Sequence, residues 1–297
     1  MDSGGGGGQR AGGLAQTRSL LQNRSFRRLW AAQFSVVTVA YGLTLAGAVL
    51  VERQTSSSAQ IGWLLLSALL PAFLASMVAG AVVDRWGQVR VLMASYSARA
   101  LVALGFWFGT AVLPPGQARA VVYATNMLGA IFAQFAISAE LSLLPDLVGR
   151  RHLMSANSLL QFSILLAEGL GVVVLSPLVI KLAGIPAVGT VGAGLSVLGL
   201  VLVAALPRDR LPARDTAGGA TVWAGLGREF REGWRTIVQD RVLRLVTAQA
   251  TLAAALVLVL LSLMPGLAAR HLGLRVEDAP LLGLPAGLGF LLGALLM

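Results

Sequence analysis

The chain has no cysteine, two histidines and a single lysine, and only 12% of its 297 residues are charged. Without cysteine there is neither a disulfide framework nor a thiolate metal site. His152 and His271 both fall in connections between apolar runs, so no imidazole cluster forms, and no metal or other cofactor is expected. The lone lysine, Lys181, stands in a connection and not in a G-x-x-x-x-G-K-[ST] loop, which argues against an ATP-driven pump within this chain. No Ser/His pair and no H-E-x-x-H lies inside an apolar run, which argues against an intramembrane protease; the chain is not read as an enzyme. The shortage of charge is itself informative. A soluble domain carries about 25% charged residues. Half that load leaves too little polar surface to cover a fold in water, and lipid is the solvent that fits.

Apolar residues make up 56% of the chain and lie in long runs. A helix crosses a bilayer with about 20 of them, at a rise of about 1.5 Å each. Runs of that length occupy 30–51, 61–83, 91–113, 120–143, 157–180, 183–206, 245–267 and 279–297. Arg99 interrupts the third, Glu140 the fourth and Glu168 the fifth; the others carry no charge. A span must satisfy every backbone group internally, so each run is expected to be helical. The fold class is an all-α membrane protein.

The net charge is +10, but its distribution speaks against nucleic acid as a partner. The arginines gather in the gaps between runs, where they flank a membrane and form no binding face. Seventeen stand before the first run and in the second, fourth and sixth connections, against five basic residues (Arg53, Arg119, Lys181, Arg270 and Arg275) in the alternate ones. The positive-inside rule then gives a multi-pass protein with a cytoplasmic N-terminus. The preference for arginine suggests a GC-rich bacterium, hence the bacterial cytoplasmic membrane. Residues 1–28 read as a disordered, basic cytoplasmic segment without a cleavable signal. Residues 29–206 form a six-span unit, 207–244 a cytoplasmic linker, and 245–297 two further spans. Late in the linker Trp223, Leu226, Phe230, Trp234, Ile237 and Val238 recur at helical spacing. That suits an amphipathic helix on the membrane interface or on the protein's own cytoplasmic face. The last run has no hydrophilic tail after Met297, and a truncated reading frame is the expectation.

Between the second and third runs stands Gly80-Ala81-Val82-Val83-Asp84-Arg85-Trp86-Gly87-Gln88-Val89-Arg90. This resembles the signature loop of the major facilitator superfamily, G-x-L-a-D-R-x-G-r-k/r. Gly80, Asp84, Arg85, Gly87 and Arg90 match, whereas Gln88 and Val89 replace the usual basic pair. In physical terms Gly80 admits a close neighbouring helix and Gly87 a tight turn. Asp84 and the arginines then make charge-assisted hydrogen bonds that hold one gate conformation. Other stretches are similar to the macrolide- and siderophore-exporter branch. They are Asn23-Arg24-Ser25-Phe26-Arg27-Arg28-Leu29-Trp30 leading into span one, Arg99 in span three, and Leu144-Pro145-Asp146-Leu147-Val148 with Ser155-Ala156-Asn157-Ser158-Leu159 between spans four and five. The antiporter pattern G-x-x-x-G-P-x-x-G-G is degenerate here, as Glu168-Gly169-Leu170-Gly171 and, further on, Ser176-Pro177. The resemblance covers nearly the whole chain after residue 20. It implies an N-terminal six-helix half plus two helices of a second half of a twelve-span bundle, which alternates access around a midplane site.

Ionisable groups inside a membrane are functional candidates. Glu168 lies about 11 residues, or about 16 Å, into span five, with Gln161 two turns earlier on the same face. A carboxyl at that depth can take up and release a proton as its exposure alternates, attract a cation, or pair structurally with another helix. Arg99 and Glu140 sit in the cytoplasmic halves of spans three and four. They read as a structural or gating ion pair, with the arginine snorkelling outward, or as a proton relay. Thr38 and Tyr41 in span one, and Tyr123, Asn126, Gln134 and Ser138 in span four, suit either a cavity lining or interhelical hydrogen bonds.

The leading functional reading is a secondary transporter that exports amphipathic small molecules of drug, macrolide or siderophore type, with protons as the coupling ion. An uncoupled channel or lipid-handling protein is a second reading, and an inactive truncated product a third. Glu168→Gln separates the first two: a coupled transporter loses the pH dependence of its transport while still inserting into the membrane.

Overall fold

The computed structural model describes residue 20 and residues 22–149, 152–206, 235–236, 238–283 and 285. The described elements are helical: α1 (Arg24–Thr55), α2 (Ser58–Trp86), α3 (Gln88–Val112), α4 (Pro115–Val148), α5 (Leu153–Gly169), a π-helical turn (Leu170–Leu175), α6 (Ser176–Ala183), α7 (Ile185–Ala204), α8 (Arg241–Arg270) and a 3-10 segment (Val276–Gly283). α5, the π turn and α6 are continuous, so seven helices are long and apolar enough to cross a membrane. These are the first seven apolar runs, most of them extended by about a turn. The eighth run begins within the 3-10 segment, and its remainder lies, apart from residue 285, outside the described residues. So do residues 1–19 of the N-terminal segment, linker residues 207–234, and Trp223, Leu226, Phe230, Trp234 and Ile237 of the amphipathic stretch.

Local chemistry sets the helix ends. Asn23 caps α1: its side-chain oxygen accepts the N–H groups of Ser25 (3.0 Å) and Phe26 (3.3 Å). Its amide nitrogen donates to the Leu147 carbonyl (2.8 Å), tying the start of α1 to the end of α4. Arg28 donates to the Ala205 carbonyl just past α7. Gly87 turns the chain between α2 and α3 at φ 85°, a conformation that residues with a Cβ rarely adopt. Pro115 opens α4 directly after Pro114, as the Pro-Pro-Gly turn implies. Residues 144–148, read above as part of the connection, instead complete α4 with Pro145 inside the helix. Burial of Leu143, Leu144 and Val148 against neighbouring spans holds that last turn helical despite the missing N–H.

α1 is the central helix. It packs on α7, α4, α5 and the π turn, while α3 lies between α4 and α7, and α2 packs on α4. Small residues make these approaches possible. A Cβ on Gly171 would collide with the carbonyl of Thr38, and one on Gly42 would stand 3.3 Å from Leu175. The π turn comes just before Pro177, whose ring would clash with a carbonyl four residues back in an undistorted helix. The degenerate antiporter-like stretch is thus a packing surface against α1. Gly80 behaves differently from expectation. It is exposed, and no described atom lies within 4 Å of the place its Cβ would take. No described helix covers that face of α2.

At the end of the bundle away from Asn23, Arg53–Glu277 (2.7 Å) and Lys181–Asp278 (2.5 Å) fasten the 3-10 segment to the ends of α1 and α6. α8 rests mainly on α2 and on this segment.

Gly171→Val is expected to lower the thermal midpoint of the detergent-purified protein by roughly 5 °C, the consequence of about 1–3 kcal/mol of overpacking. Gly80→Ala is expected to leave it unchanged or slightly raised. A thermal-shift assay reads both.

Candidate functional site: a cavity inside the six-helix half

A cavity of about 350 Å³ lies between α1, α3 and α4 and is completed by residues of α2, α5 and α7. Its walls follow helical periodicity. Gln33, Val36, Ala40, Thr44 and Gly47 line it along α1, and Tyr96, Arg99, Val102 and Phe106 along α3. α4 contributes Gly129, Ala130 and Ala133 at mid-helix, and these short side chains leave the space unfilled. The lining is polarised. Gln33, Tyr96, Arg99, Glu140 and Ser196 gather at one end, and Leu64, Phe106 and Val122, with Thr44 and Asn126, at the other.

Arg99 and Glu140 are both buried, at 8% and 6% exposure. Arg99 therefore faces the cavity and does not snorkel to the membrane surface. The direct ion pair expected between the two is not formed. The Tyr96 hydroxyl donates to Glu140 Oε1 (2.7 Å), and Arg99 Nη2 donates to the Val36 carbonyl of α1 (3.1 Å). Tyr96 stands one turn before Arg99 on the same face of α3, and takes the carboxylate that the guanidinium was expected to hold. Gln33 Oε1 and Ser196 Oγ are buried without a hydrogen-bond partner.

The other candidates are distributed as follows. Tyr41 lines the cavity and neighbours the half-buried Glu168 carboxyl, which lies behind the lining. Gln134 lines it too. Asn126 does so while accepting from Thr44 (3.1 Å) and donating to the Leu64 carbonyl (2.8 Å), so lining and interhelical bonding coincide in one residue. Tyr123 donates to the Gln60 carbonyl (2.8 Å), and Ser138 is half-buried. Thr38 is buried behind the lining, where its hydroxyl donates to Phe34 of its own helix (2.8 Å). Gln161 is exposed and does not approach the cavity. The expected loop is almost wholly helical: Asp84 and Arg85 lie in the last turn of α2, Gly87 alone separates the helices, Arg90 lies in the first turn of α3, and the three charged residues are exposed. Gln88, which departs from the family pattern, docks the start of α3 on α4. It donates to the carbonyl and hydroxyl of Ser142 (3.2 Å each) and to Asp146 (3.3 Å). Sequence reasoning missed Gln33, Tyr96 and Ser196. The i to i+3 spacing of Tyr96 and Arg99 was the available signal for one of them; Ser196 had none.

A family profile described as Major Facilitator Superfamily matches residues 29–297. The chain belongs to this superfamily. Among curated relatives, the enterobactin exporter EntS of Salmonella typhi is 30% identical over 156 residues, 50% of this chain and 36% of the relative. The protein of the same name from Shigella boydii serotype 18 is 29% identical over 167 residues, 54% of this chain and 37% of the relative. The chain thus covers little more than a third of the length of these relatives. No solved structure gives a significant match. For a superfamily member, the cavity within the first six spans is the natural candidate site.

Tyr96→Phe removes the hydroxyl bonded to the buried Glu140 carboxyl, and a cost of about 1–3 kcal/mol is expected, seen as a lower thermal midpoint. Exchanging the two charges, Arg99→Glu with Glu140→Arg, is expected not to recover wild-type stability, since no direct pair joins them.

Proposed function

We propose that this chain serves secondary transport, exporting amphipathic small molecules across the bacterial cytoplasmic membrane by proton-driven alternating access. The observation that carries the reading is the polarised cavity. A space with both charged groups at one end and mainly apolar side chains, beside Thr44 and Asn126, at the other, enclosed by membrane spans, fits cargo of the same amphipathic make-up. Membership of the superfamily supports movement of a solute as the activity, and the exporter names of the curated relatives favour the outward direction. Glu168 beside Tyr41, and Glu140 within the cavity, are the groups proposed to exchange protons as the site changes sides. Asp84, Arg85, Gly87 and Arg90, around the tight turn from α2 to α3, have a proposed role in gating. The arginine distribution supports a cytoplasmic N-terminus.

In proteoliposomes with an imposed pH gradient, a fluorescent amphipathic dye is expected to move against its own gradient. A protonophore abolishes the movement, and Glu168→Gln reduces it to under a tenth. Flux that ignores the pH gradient favours the uncoupled channel reading, and absence of flux overturns transport by this chain. The lack of native cysteine also makes topology directly readable. A cysteine at Gln88 is expected to react with a membrane-impermeant maleimide only in inverted vesicles, and one at Ser56 only in intact cells.

A further inference from the structure

Hydrogen-bonding capacity in the cavity is unevenly used. Glu140 already holds the Tyr96 hydroxyl at 2.7 Å. Arg99 directs one N–H to the Val36 carbonyl at 3.1 Å, and among the described residues no carboxylate forms a salt bridge with it. A guanidinium carries five N–H donors, so most of its capacity is open. Gln33 Oε1 and Ser196 Oγ line the same cavity and are buried without partners. The three belong to one layer of the bundle. Gln33 is one turn from Val36, whose carbonyl holds Arg99, and Ser196 is one turn from Gly199, which packs on Val36 and Tyr96.

A buried cation that no carboxylate bonds directly is costly even with Glu140 acting on it through space, as are polar atoms buried without a hydrogen bond. A guanidinium is matched best by a planar anion that accepts two parallel N–H bonds. We propose that the cavity takes an amphipathic organic acid. Its acid group accepts from Arg99 and from the Ser196 hydroxyl, and from Gln33 once that amide turns its NH2 inward, and its apolar body extends toward Phe106 and Leu64. The inference rests on the transport reading for its purpose and names the chemical class of the cargo. Glu140 is a like charge for such a ligand, but the Tyr96 hydroxyl it accepts disperses that charge. A cationic ligand would have to compete with this hydroxyl and leave Arg99 facing a second positive charge. The volume, about 350 Å³, is at the small end for ligand pockets and suits a molecule of one or two rings.

Three matched probes test this: 2-naphthoate, its uncharged methyl ester, and 2-naphthylmethylammonium. Each is equilibrated by dialysis with the full chain in lipid nanodiscs, against protein-free nanodiscs. The acid is expected to bind at least tenfold more tightly than the ester or the amine. Arg99→Gln is expected to erase that preference while ester binding persists, Arg99→Lys to retain part of it, and Glu140→Gln to tighten the acid several-fold. The proposal is overturned if the amine binds best and Glu140→Gln abolishes its binding, if the wild-type chain binds no probe above the protein-free discs, or if Arg99→Gln and Arg99→Lys leave the acid unaffected. Should Arg99→Gln fail to fold, the acid-to-amine ratio in the wild type and in Glu140→Gln still decides. Dialysis needs no transport. A chain that binds the acid and moves nothing retains this inference and loses the transport reading. One that moves the dye but ignores the acid loses this inference alone.

Discussion

Close backbone approach around span one is the constraint on which the rest of the structure depends. Lipid tails solvate apolar side chains as well as other helices do, so association in a bilayer rests on tight packing and polar contacts. The most apolar stretch of α1 is 67% buried, against 17% for that of α2 or α8. That difference marks α1 as the helix around which the others are arranged. Glycines are placed where α1 is met. Gly171 faces the backbone of Thr38 and Gly42, Gly199 faces Val36, and Gly192 would bring a Cβ to 3.0 Å from Val39. Tight seams on these sides make the loosely filled side, toward Gly129, Ala130 and Ala133 of α4, stand out as a cavity.

The spans were legible because the bilayer imposes a length and helix is the only way to satisfy the backbone within it. Seven of the eight apolar runs could therefore be drawn from hydropathy alone. Turns with strong chemistry, such as Pro114-Pro115 and Gly87, were legible for the same local reason. Pro145 was not: its helix-breaking tendency is a local property, and the packing of Leu143, Leu144 and Val148 that overrides it is tertiary. Gln161 shows another limit. It shares a helical face with Glu168, but periodicity does not tell how far along its length a helix stays in contact with its neighbours.

The charged residues show the same division in sharper form. Arg99 and Glu140 were identifiable because each interrupts an apolar run, and both do face the cavity. Which atoms satisfy them was beyond spacing arguments. Tyr96 and the Val36 carbonyl compete for the two charges and win, because each is closer on its own or a neighbouring helix than the charges are to each other. Gln88 makes a related point. As a departure from the family pattern it looks like a loss of charge, yet its amide forms the hydrogen bonds to Ser142 and Asp146 that seat the start of α3.

Polar contacts at the two ends of the bundle differ from those in its middle. The ends are tied by groups whose capacity is matched, such as Asn23 with Leu147 or Arg53 with Glu277. Arg53 is 46% exposed at its side chain, and an ion pair so wet contributes at most about 1 kcal/mol. It fixes geometry more than it adds stability. In the middle, Arg99 is held on one side by a single backbone carbonyl, and Gln33 and Ser196 are buried unmatched. A structure held together by tight glycine seams can tolerate such unmatched groups, because its cohesion does not depend on them. The residues least committed to holding the fold are then the ones left to contact a molecule within it.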